Sequence, residues 1–105
     1  MISFTKQDST IKISFNKPEL DISDAKELET ILSSVSAEKY DRLIFNFDGV
    51  KFMSATAMRR VAKLIQDAKN KNASVSSIGK IDHFLHQLFS ISGLEGYIGD
   101  PEITS

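Results

Sequence analysis

At the centre of the chain, Leu43-Ile-Phe-Asn-Phe47 is an almost wholly apolar run, closed by the turn pair Asp48-Gly49. A short apolar run rich in aromatics and bounded by turn chemistry predicts a central strand covered on both faces. Directly after it, Phe52-Met53-Ser54-Ala55-Thr56-Ala57 supplies small and hydroxyl residues, and Met58, Val61, Ala62, Ile65 and Ala68 then recur at helical spacing. Arg59, Arg60 and Lys63 fall on the outward side of that stripe. Strand, tight turn and amphipathic helix in direct succession restrict the chain to folds in which helices cover a sheet. A helix start leaves backbone N–H groups unpaired and carries partial positive charge, so Ser54 and Thr56 stand where hydroxyls cap a helix or accept phosphate.

The flanking segments extend the same alternation. Ile2 and Phe4, then Ile11, Ile13 and Phe15, alternate with polar residues around Gln7-Asp8-Ser9, which predicts a hairpin with one buried face and Pro18 closing its second strand. Ala25, Leu28, Leu32 and Val35, with Ile31 beside them, predict a helix capped by Ser23 or Asp24, with Glu27 and Glu29 favourable to its dipole. Lys69-Asn70-Lys71-Asn72 ends the second helix, and Ala73 to Ile78 is a weaker strand. Asp82 caps a third helix that carries Phe84, Leu85, Leu88 and Phe89 as core, with Gly93 just past its end. Leu94, Tyr97 and Ile98 supply a last short strand, and the residues from Gly99 read as a frayed end. The expected fold is α/β in the order β-β-α-β-α-β-α-β, a mixed sheet of mostly parallel strands with helices packed on it, forming one domain over 1–99 with a tail at 100–105.

Charge and composition remove several function classes. Thirteen basic and 14 acidic residues alternate along the chain for a net charge of −1, which argues against a nucleic-acid partner. There is no cysteine, hence no disulfide, thiolate nucleophile or Cys-based metal site. The N-terminus lacks signal-peptide character, and no apolar run approaches the roughly 20 residues of a membrane span, so a cytoplasmic protein is the default expectation. His83 and His86 have a spacing a metal could use, but no Cys or acidic ligand stands at matching spacing, and neither a metal nor a cofactor is expected. No Gly-rich phosphate loop, nucleophile elbow or sequence-local His beside Ser54 points to catalysis.

The run Phe52-Met53-Ser54-Ala55-Thr56-Ala57 resembles the signature of the anti-sigma factor antagonist family (STAS domains), in which a strand ends in Phe-Met-Asp-Ser-Ser/Thr-Gly. Glu19-Leu20-Asp21 resembles the family's segment after the second strand, and Ile81 to Ile98, with Leu88-Phe89 and Ser92-Gly93-Leu94, resembles its third helix and following turn. Together these matches cover roughly residues 10–98 in the family's order. The resemblance implies a STAS-like domain without catalytic activity, presenting the loop and helix at 52–60 to a partner anti-sigma factor of the serine kinase type. In the family that kinase phosphorylates the loop serine, and phosphate breaks the complex. Glu19, Asp21, Ser54, Ala55, Thr56, Ala57, Arg59 and Arg60 are then the partner-binding candidates. Asp21 can equally serve as a helix cap, and the arginines as solvated surface.

The chain departs from the family pattern where the switch should be. Ala55 occupies the phosphoacceptor position, Ser54 replaces the Asp, Ala57 the Gly, and Pro18 stands where Gly is usual. Ser54 and Thr56 are the neighbouring phosphorylation candidates; the plainer expectation is one N-cap and one loop hydroxyl. Two expectations follow: an antagonist that loop phosphate does not switch, or an accessory STAS subunit bracing the ATPase of an ABC-type phospholipid transport complex.

Overall fold

The computed structural model describes residues 2–92 and, as backbone, 102–104. Strand β1 (Ser3–Gln7) turns through Asp8-Ser9 into the antiparallel β2 (Thr10–Ser14), with Asp8 at a φ of 55°. β2 ends at Ser14, earlier than the expected stop at Pro18, and Asn16 takes a positive φ of 58° on the way out. The chain then forms a short strand β3 (Glu19–Leu20), helix α1 (Ile22–Ser36), β4 (Arg42–Asn46), a short β5 (Phe52–Met53) and helix α2 (Ala55–Asn70). β6 (Ser74–Ile78), β7 (Lys80–Asp82), α3 (His83–Ser92) and β8 (Glu102–Thr104) complete the order.

β1, β2, β4 and β6 form a four-stranded sheet in that order, antiparallel at the hairpin and parallel thereafter. β4 is central, as expected, but among the described residues only one of its faces is covered by helices. Ile11, Ile13, Leu43 and Phe45 are buried in register beneath the helices, whereas the next row, Thr5–Lys12–Ile44–Ser76, lies on the open side. The cause is topological. Both crossovers step the same way across the sheet, and crossovers of one hand place both helices on one face. α1 and α2 pack against each other there, contributing Leu28, Ile31, Val35, Val61, Leu64 and Ile65 to the core. Phe15, Phe45 and Phe47 stack beneath them with centroids 5.0–6.3 Å apart, and Phe89 of α3 joins at 4.9 Å from Phe47.

The far end of the helix pair is locked by Lys71, the C-cap of α2. Its Nζ donates to the carbonyls of Val35 (3.3 Å), Ser36 (2.7 Å) and Glu38 (2.9 Å) at the end of α1, and to Asp67 Oδ2 at 3.0 Å. Asp67 also accepts from the Tyr40 hydroxyl at 2.7 Å and from Ser36 Oγ at 3.1 Å. Two helix C-termini, each partially negative, thus share one ammonium. The end of α2 is a Schellman motif: Asn72, at a φ of 59°, donates to Lys69 O, and Ala73 donates to Ala68 O.

α3 begins as expected, with Asp82 Oδ2 accepting from Phe84 N at 3.0 Å. Its core stripe is narrower than expected. Leu85 and Phe89 are buried, Leu88 is half-buried, and Phe84 is 52% exposed, because one helical step turns it about 100° from Leu85. The positions expected for Gly93 and for the strand at Leu94, Tyr97 and Ile98 lie outside the described residues. The strand that is described is β8, which pairs in parallel with β7 and falls in the segment read from sequence as a frayed end.

Candidate functional site

The loop between β4 and α2 is built from a tight turn and a borrowed strand. Val50 N donates to Phe47 O at 2.9 Å, with Gly49 at a φ of 83°, a conformation that costs glycine little. β5 is too short to hold itself, and it pairs in parallel with β3, Glu19 against Phe52 and Leu20 against Met53. Three backbone bonds seat the loop: Lys51 N and Phe52 N donate to Pro18 O at 2.7 and 3.2 Å, and Ser54 N donates to Leu20 O at 2.8 Å. The sequence segments 19–21 and 52–60 therefore meet in one surface.

Ser54 is the N-cap of α2. Its extended backbone has φ −67° and ψ 160°, its Oγ accepts from Ala57 N at 3.1 Å, and its carbonyl accepts from Met58 N at 3.0 Å. The N–H groups of Ala55 and Thr56 have no acceptor within the helix. Ala55 is exposed at the tip, Thr56 is half-buried in the first turn rather than in the loop, and Ala57 is buried. Arg59, one turn on, is exposed. Arg60 is not outward as expected. It lies against α1, its guanidinium 3.7 Å from Glu29 and its Nε buried.

Asp21 caps α1, a role the sequence allows it alongside Ser23 and Asp24, and it stands two positions before Ser23. Its Oδ1 accepts from Ser23 N (2.9 Å), Ser23 Oγ (2.6 Å) and Asp24 N (3.3 Å), while Asp24 Oδ2 accepts from Asp21 N at 2.8 Å, closing a capping box. The Ser23 hydroxyl, followed by the backbone of Asp24, holds the Asp21 carboxyl below the usual carboxylate range. Lys17 Nζ completes the cluster with bonds of 2.9 and 3.0 Å to the two oxygens of Asp24.

Sequence reasoning missed the apolar part of this surface. Phe52 is 40% exposed, and its ring stacks on that of Phe84 with centroids 6.5 Å apart and planes at 17°. Ile22, the residue after the Asp21 cap, is 70% exposed. Glu19 is the exposed register partner of Phe52, so carboxylate and aromatic pair share one face of the β3–β5 ribbon. Helical spacing could have revealed Phe84. Nothing in the local pattern could have revealed Phe52.

His83 and His86 sit on α3, where the His83 ring lies 3.3 Å from Gln87 Nε2. Among the described residues no group of three His, Cys, Asp or Glu side chains converges as a metal site would require. Nor is any helix there long and apolar enough to cross a membrane.

The sequence profile of the STAS domain matches residues 1–104. The chain belongs to the STAS domain family. Its fold is that of the anti-sigma factor antagonist SpoIIAA. The unphosphorylated SpoIIAA structure aligns with a TM-score of 0.71 at 13% identity, over 100% of this chain and 88% of the other. SpoIIAA in its phosphorylated form, described as a Bacillus cell fate determinant, aligns with a TM-score of 0.72 at 16% identity, over 100% and 92%. A putative anti-sigma factor antagonist from Thermotoga maritima aligns with a TM-score of 0.78 at 10% identity, over 99% and 86%. No curated protein matches the sequence. At such identities the likeness establishes the fold of this STAS domain, while its surface chemistry has to be read from its own side chains.

Proposed function

We propose that this STAS domain is a non-catalytic interaction module of the anti-sigma factor antagonist type, binding a kinase-like regulatory partner through the 52–60 surface. The observation that carries the reading is the convergence on one face of the α2 N-terminus, the Glu19–Asp21 segment and the exposed Phe52–Phe84 pair. Exposed aromatics beside unpaired helix N–H groups suit a protein interface, where Phe supplies apolar contact area and backbone donors supply direction. Ala55 has no hydroxyl and Ser54 is occupied as a cap, so binding is read as independent of loop phosphate.

Capture from a lysate of the native cell tests this. The wild-type domain should retain a serine kinase-type protein with an ATP-binding fold, and Ala55→Arg, which places a bulky cation at the exposed tip, should retain none. Recovery of an ABC ATPase and its permease by wild type would replace this reading with that of a transport-complex subunit. Ala55 also favours that second reading, because such a subunit has no use for a phosphoacceptor.

A further inference from the structure

The loop that carries the 52–60 surface makes its three backbone anchors to acceptors in one short segment, Pro18 O and Leu20 O. The Leu20 side chain is buried in the core, but the strand that carries it is short. β3 is two residues long, and its ribbon contains β5 alone among the described residues. What brackets it is an ion pair. Lys17 stands immediately before Pro18, and Asp24 stands in the first turn of α1, immediately beyond the cap. Asp24 is buried, 7% exposed, and its two oxygens are bound by Lys17 Nζ at 2.9 and 3.0 Å. The same carboxylate holds Asp21 N at 2.8 Å, so one buried group fixes both ends of the stretch that contains every acceptor of the loop anchors.

We infer that Lys17 and Asp24 are positioning residues for the 52–60 surface, setting through Pro18 and Leu20 where Phe52, Ser54 and the first turn of α2 stand. Neither side chain has to touch a partner for this. A buried carboxylate left without its cation is strongly unfavourable, and the relief open to it is solvation by opening of the 17–24 bracket. Opening moves Pro18 O and Leu20 O together, releasing the Lys51, Phe52 and Ser54 amides as a local unit. The bearing of this device on binding rests on the function proposed above. The device itself can be measured without any partner, so the two can fail separately.

Amide hydrogen exchange by NMR is the test, on the whole domain under native conditions. In Lys17→Met, exchange at Phe52 and Ser54 should rise about tenfold or more relative to Ala73, whose amide donates to Ala68 O at the opposite end of α2. Lys17→Arg, which keeps a cation able to fork onto the carboxylate, should return the ratio to within about twofold of wild type. Should Lys17→Met not fold, Asp24→Asn supplies the same comparison, since its amide oxygen can still accept from Asp21 N. An equal rise at Phe52, Ser54 and Ala73 would show a contribution to global stability only and overturn the inference. An unchanged ratio, or a local rise that Arg does not reverse, would overturn it as well.

Discussion

Replacing Lys71 with Met should be among the most damaging single changes in this domain, although the residue lies on the surface at a helix end. The wild-type ammonium shares its three N–H groups among three carbonyls at the end of α1 and one oxygen of Asp67, with the Tyr40 ring centroid 4.8 Å away. A hydrogen bond to a charged group contributes about 1.5–3 kcal/mol, and a cation over an aromatic face contributes about 0.5–1 kcal/mol. The side chains of Lys71 and Asp67 keep 26% and 18% of their exposure, so the freed carbonyls partly rehydrate and the sum must be discounted. The net loss should be about 3 kcal/mol, since Met retains the aliphatic packing of the stem and Asp67 keeps its bonds from Tyr40 and Ser36. With a urea slope of about 1.5 kcal/mol per molar for a domain of this size, the unfolding midpoint should fall by about 2 M. Asp67→Asn should cost less, about 1–2 kcal/mol, and the double variant should lose less than the sum, because both changes remove the same contact. A midpoint drop under about 0.5 M, or strict additivity, would refute the view that one ammonium joins the two helix C-termini.

The same cluster sets the pH response. Burial opposes ionisation of Asp67, but hydrogen bonds from Tyr40 and Lys71 and the charge of Lys71 outweigh it and hold its carboxyl below the usual range. A depressed carboxylate contributes stability above its unfolded value of about 3.9 that is lost as pH falls through the lower folded value, so urea midpoints should decline below about pH 4, and less steeply in Asp67→Asn. Burial, reinforced by the hydrogen bond to and charge of Asp67, pushes the Tyr40 phenol up. That stability is complete below the unfolded value of about 10 and is lost as pH rises beyond it, a decline that Tyr40→Phe should lessen. Ser54→Ala removes the cap bond to Ala57 N and should lower stability by about 1 kcal/mol, read by thermal melts, while Ser54→Asp should restore most of it.

Periodicity carried the large elements. Leu28, Ile31 and Val35, and likewise Val61, Ile65 and Ala68, are buried because stripes at helical spacing leave little choice once two helices share one sheet face. What pattern could not reach depends on contacts distant in sequence or on elements too short to show a period. β3 and β5 have two residues each, so neither displays alternation, yet their pairing brings Glu19 beside Phe52. Asp21, Ser23 and Asp24 all stand as cap candidates in the sequence because several short polar residues compete at that helix start. The capping box, closed by the Asp24 side chain, decides the matter. The spacing of Arg60 on α2 turns it outward, whereas the neighbouring α1 draws it toward Glu29. The Lys71 lock joins residues more than 30 positions apart, a relation no local window contains. That Ala55 itself cannot take phosphate, by contrast, is fully legible, since it has no hydroxyl in any conformation.

Phosphate independence of binding is the claim to test most directly, by incubating the captured partner complex with ATP and magnesium and following both retention and intact mass. The wild-type domain should stay bound and gain no phosphoryl group, while Ala55→Ser should gain one and be released, because the added charge sits at a surface the partner must cover. Release of the wild-type domain with a phosphoryl group on Ser54 or Thr56 would contradict the account, showing that the switch has moved by one residue instead of being lost.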